Sequence, residues 1–193
     1  MENNLLGRRQ LVTLAILVEG GLAVLALLAG WCFDVPFWER ISWNGAAICR
    51  GVLVSVPMLL LFLGCLSRPV GPLRSLKRFA DEVIRPLFEP CTLLELAIIS
   101  LLAGVGEEAL FRGVVQHILC DLMGPWGGII LTAALFGAAH PISVSYFLLA
   151  TLMGVYLGWV CVFFDNLLTV IVAHALYDFV ALVVLCRRRS GSV

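Results

Sequence analysis

Long apolar runs, interrupted by short polar breaks, occupy most of this chain and set the first expectation about its fold. The runs fall at 11–31, 45–66, 91–122, 125–139, 142–164 and 166–186. Crossing about 30 Å of hydrocarbon takes roughly 20 apolar residues in a helix. The pattern therefore predicts an all-α, polytopic bundle of about six transmembrane spans. The breaks carry turn chemistry: Pro36, Pro69 and Pro72, Pro86 and Pro90, Gly124-Pro125, His140-Pro141 and Asp165-Asn166. Between 69 and 90 basic residues alternate with Leu73, Leu76, Phe79, Val83 and Ile84, the pattern of an amphipathic helix lying on the cytoplasmic surface. No repeat or low-complexity tract is present. The reading is one membrane domain over 1–193, with N-terminal spans and a basic segment in 11–90 and a second set of helices in 91–186.

Composition agrees with a membrane location. Of the 193 residues 61% are hydrophobic and 13% charged, and the mean hydropathy is +1.02, which excludes an ordinary soluble domain. The net charge is zero and says little about partners; the bilayer is the expected surrounding and no nucleic acid is expected. The distribution of charge says more. Arg8 and Arg9, the group Arg68, Arg74, Lys77, Arg78 and Arg85, and the tail Arg187, Arg188 and Arg189 are basic, whereas the first loop holds Asp34, Glu39 and Arg40. By the positive-inside rule both termini are cytoplasmic and the number of spans is even. Arg8 and Arg9 precede an apolar run too long for a cleaved signal, so a retained anchor is expected. The seven cysteines are scattered without a CxxC pair and read as small apolar fillers.

Ionisable groups inside apolar runs are the candidates for function, because each costs at least about 2.5 kcal/mol at a helix centre. They are Glu19, Glu95, Glu107, Glu108, Arg112, His117, His140, His174 and Asp178. Glu108 lies four residues before Arg112, the orientation of a helical ion pair. Glu107 points about 100° away around the helix, has no local counter-charge and is placed for general-base work. Simple locking of neighbouring helices by Arg112 is the alternative reading of that cluster. Phe136 and His140 share a helix face, with small residues between them that suit close helix packing. His174 and Asp178 stand one turn apart, so the carboxylate can fix or charge the imidazole.

Three motifs in order carry a resemblance. Glu107-Glu108-Ala-Leu-Phe-Arg112 fits EExxxR, Phe136 to His140 fits FxxxH, and His174 to Asp178 fits HxxxN/D. The stretch from about Glu95 to Val184 thus resembles the CPBP membrane proteases, the CAAX proteases and bacteriocin-processing enzymes also called the Abi family. The resemblance implies a glutamate-type intramembrane endopeptidase. Glu107 would be the general base, His140 would hold the attacking water, and His174 with Asp178 would stabilise the oxyanion. Glu108, Arg112 and Phe136 would support them. An ionised aspartate cannot donate to an oxyanion as asparagine does, so Asp178 has two open roles: a protonated donor, or a carboxylate orienting His174.

No cofactor is expected, but zinc is a possible variant, with Glu107, His140 and His174 as its ligands and one position open for water. A proton-coupled transporter and a non-catalytic scaffold are the alternatives from other classes. Expected substrates are peptides, membrane-protein segments or lipid-modified proteins; the short chain and basic tail point to a bacterial cytoplasmic membrane. Glu107 and His174 fall near mid-span. His140, at the end of a short run, is expected nearer one face.

Overall fold

The computed structural model describes residues 7–188. Arg189, the last of the basic tail, lies outside them. Helices make up nearly all of this range, and no strand occurs among the described residues. They are α1 (Arg8–Cys32), α2 (Gly45–Ser67), α3 (Pro72–Phe79), α4 (Arg85–Phe88), α5 (Leu93–Glu108), α6 (Gln116–Ala138), α7 (Val144–Phe164) and α8 (Leu167–Arg187). Two wider, π-type stretches, Ala80–Ile84 and Ala109–Val115, join α3 to α4 and α5 to α6.

Four helices (α1, α2, α7 and α8) are each long and apolar enough to cross a membrane, and five spans result if the pair Leu73–Phe88 and Leu93–Ala138, bent by 118°, is taken as one. The sequence pattern counts six, because it treats 91–122 and 125–139 as separate crossings. The backbone explains the difference. Gly124 adopts φ +78°, ψ 167°, a conformation essentially reserved for glycine. A side chain on Gly128 would meet the backbone nitrogen of Cys120 at 2.6 Å, whereas residues eight apart in a straight helix are separated by about 12 Å. The chain folds back at Gly124, and the returning arm of 14 residues, about 21 Å long, is too short to cross alone.

The bundle is built around α8, which packs on α2 and α5, while α1 lies on α5 and α6 on α7. Small residues set these distances. A Cβ on Gly104 would lie 2.9 Å from Ala175 and from the Ile171 carbonyl, so α5 and α8 approach backbone to backbone. Outward positions such as Leu17, Leu53, Leu60, Leu94, Leu148 and Phe163 are exposed, the apolar surface that hydrocarbon covers.

Polar pairs mark the two ends. Arg8 bonds Glu95 at 2.9 Å, which joins the starts of α1 and α5. Glu95 also closes a capping box with Thr92, so this acid is an end cap rather than an interior group. At the opposite end Arg40 meets Asp165 at 3.2 Å and His117 at 3.4 Å. The amphipathic segment divides into α3 and α4, and its apolar side chains Leu76, Phe79, Ile84 and Phe88 face a cavity shared with α8.

Candidate active site

The fold-back at Gly124 brings the first two motifs together. Glu107 stands 17 residues before this glycine and His140 stands 16 after it, so the two arms carry them to one level. Phe111 and Phe136, which occupy matching positions closer to the turn, meet edge to face with ring centres 5.1 Å apart. The end of the returning arm falls beside Glu107, so His140 stands at the level of that acid. Nε2 of His140 is 3.9 Å from Oε1 of Glu107.

The third motif arrives on α8. His174 places Nδ1 2.6 Å from Oε1 of Glu108 and Nε2 3.9 Å from Oε2 of Glu107. Oδ2 of Asp178 is 3.5 Å from the same Nε2. The structure therefore gathers all four residues expected to act, Glu107, His140, His174 and Asp178, around one cavity of about 120 Å³ that Phe136 also lines.

Behind them stands a buried polar network. Glu108 and Arg112 have side chains with no exposure at all, and Nη1 of Arg112 donates to Glu108 at 2.8 Å. Arg112 donates further to the Gly154 carbonyl at 3.3 Å and lies over the Phe136 ring at 4.4 Å, so its charge meets a carboxylate, a carbonyl and an aromatic face. All of this sits where α5 passes into the π-type stretch 109–115, a local widening frequent at functional sites.

Hydrogen bonding fixes how the imidazoles face. Nδ1 of His140 lies 2.8 Å from the Phe136 carbonyl. A carbonyl can only accept, so Nδ1 carries the proton and neutral His140 turns a bare Nε2 towards Glu107. His174 donates from Nδ1 to Glu108, whose oxygen it shares with Arg112. Sequence spacing pairs Glu108 with Arg112 alone; its second bond, to His174, crosses helices 66 residues apart and has no local signal. The 3.9 Å gaps between Glu107 and the two rings are too wide for direct hydrogen bonds and suit one intervening water.

The zinc variant would draw on the same three side chains, Glu107, His140 and His174. Among the described residues no group of three or more His, Cys, Asp or Glu stands close enough together to hold a metal ion. Tetrahedral zinc, with ligands at about 2.0–2.1 Å, brings ligand atoms to about 3.4 Å from one another. Here the rings address opposite oxygens of Glu107 at 3.9 Å each, a looser set.

Several lining residues were not foreseen. Tyr146 at the start of α7 and Tyr177 on α8 line the cavity, and both also line a second one of about 270 Å³ that runs to α3 and α4. Tyr177 sits inside the HxxxD motif, but nothing in the sequence ties Tyr146 to it. His117 lies apart, between Arg40 and Asp121.

Apolar spanning helices that enclose a carboxylate and two imidazoles define an integral membrane protein with a buried polar centre. Residues 89–180, the segment that carries the whole centre, match the model of the family Type II CAAX prenyl endopeptidase Rce1-like. A protein of Escherichia coli named "Uncharacterized 24.3 kDa protein" is 32% identical over 124 residues, which make up 62% of this chain. The chain spans 54% of that relative's length. No solved structure matches.

Proposed function

We propose that this protein is an intramembrane endopeptidase that hydrolyses peptide bonds of membrane-associated or lipid-modified substrates through water activated by Glu107. The observation that carries the reading is the convergence of Glu107 with Nε2 of His140 and of His174, at 3.9 Å each, on one cavity inside the bundle. The match of residues 89–180 to the Rce1-like endopeptidase family model supports the reaction class.

In this mechanism a water held between Glu107 and the bare Nε2 of His140 loses a proton to Glu107 as its oxygen attacks the scissile carbonyl carbon. The carbonyl oxygen gains the negative charge, and His174 donates to it from Nε2. Glu108 at Nδ1 and Asp178 beside Nε2 hold that ring and balance its second proton. Collapse of the intermediate breaks the C–N bond, and Glu107 returns its proton to the leaving amine. No step calls on a metal. The arginine distribution supports a cytoplasmic position, at a bacterial membrane, for α3 and α4 and for both termini.

Purified protein in detergent, incubated with a library of apolar peptides with and without a chelator, tests the reading. The expected result is cleavage at defined bonds that the chelator leaves unchanged. Absence of cleavage across the library would overturn the activity, and its loss on chelation would overturn the metal-free chemistry.

A further inference from the structure

Glu19 lies outside all three motifs and outside the family segment, yet it belongs to the same interior. The one acid of α1, it lines the cavity of about 270 Å³, and that cavity shares Glu107, Tyr146, Tyr177 and Asp178 with the smaller one holding the histidines. Its position follows from one residue on α5. Gly106, next to Glu107, packs directly on the Glu19 carbonyl, and any side chain there would collide with it. The absence of a Cβ at 106 lets α1 settle on α5 with Glu19 level with the centre.

The Glu19 carboxylate is not consumed by the fold. Its Oε2 is enclosed and has no hydrogen-bond partner among the described residues. The nearby cations are committed elsewhere: Arg112 to Glu108, and Lys77, at the far end of the same cavity, to Asp81 at 2.7 Å. The inner end thus presents Glu19, Glu107 and Asp178 in an otherwise apolar space, with His174 already engaged by Glu107, Glu108 and Asp178. What this end lacks is a cation.

We propose that Glu19 is a specificity-determining residue that selects substrates carrying a lysine or arginine close to the scissile bond, the aliphatic stem lying in the apolar cavity and the charged head on the Glu19 carboxylate. Long basic side chains divide in this way between apolar and polar surroundings. The inference rests on the peptidase reading of the neighbouring site.

The test uses apolar peptides identical except for Lys, Gln or Glu at each position around the cleaved bond. With the unaltered protein, kcat/KM at one position is expected to favour Lys over Gln by at least about tenfold, mostly through KM. In Glu19→Gln this ratio falls towards one, and in Glu19→Lys the preference passes to the Glu peptide. A ratio taken within one variant is independent of how much of it is correctly folded. Binding of fluorescent Lys and Gln peptides to Glu107→Gln protein reads the same preference without cleavage, so failure of the peptidase reading remains distinguishable from failure of this one. Equal handling of the peptides by the unaltered protein, or an unchanged Lys:Gln ratio in Glu19→Gln, would overturn the proposal.

Discussion

Arg112 and Glu108 show how an ion pair can persist in an apolar core. Both side chains are fully enclosed, and the guanidinium has a carboxylate, a carbonyl and a ring face as partners. Removing Arg112 leaves the buried Glu108 carboxylate with His174 as its remaining partner, and breaking a buried pair in this way costs about 3–5 kcal/mol. Arg112→Ala is therefore expected to lower the unfolding temperature sharply, whereas Ala at the exposed Arg78 leaves it unchanged; circular dichroism melts in detergent check the contrast. His174 is different, because its task is proposed to be chemical. His174→Ala is expected to reduce kcat by about 10²–10³, the usual loss of one oxyanion donor, with KM little altered. Comparable loss in KM would mean that the ring binds substrate instead.

At the scale of elements, the decisive device is the fold-back at Gly124. A Cβ there would meet nothing within 4 Å, so any penalty in Gly124→Ala is conformational. About 1–3 kcal/mol is expected from placing a non-glycine residue in this region of backbone space. The arms would re-aim to relieve it and separate His140 from Glu107. Activity should therefore fall more than stability, which parallel measurements of kcat and melting temperature resolve. Gly104→Leu acts on a different contact: its side chain would enter the α5–α8 interface, where its Cβ alone would lie 2.9 Å from Ala175 and from the Ile171 carbonyl. Overpacking there is expected to cost about 1–3 kcal/mol in the same melts.

For the whole molecule, the apolar runs announced the helices well. The spans expected at 11–31, 45–66, 142–164 and 166–186 differ by only a few residues from α1, α2, α7 and α8. Hydropathy reports length and polarity but not direction, so the 91–139 stretch was read as two crossings when it is a long arm with a short return. The site was legible to the extent that burial is costly: Glu107, His140, His174 and Asp178 stood out as ionisable groups in apolar helices. Their assembly was not legible from spacing, since the bond between His174 and Glu108 and the meeting of Glu107 with His140 depend on helices that sequence does not orient. Tyr146 was invisible as a site residue for the same reason, whereas Glu19 stood out as a carboxylate in a span and only its place beside the centre was hidden.

The central claim is that Glu107 activates the water that cleaves a peptide bond within this bundle. Its most direct test is the rate of peptide cleavage by Glu107→Gln, a replacement of nearly equal size, purified beside the unaltered protein and shown by its melting curve to be folded. The account predicts that cleavage falls by about 10²–10⁴ or more while peptide binding persists. Cleavage at an undiminished rate in the folded variant would contradict it.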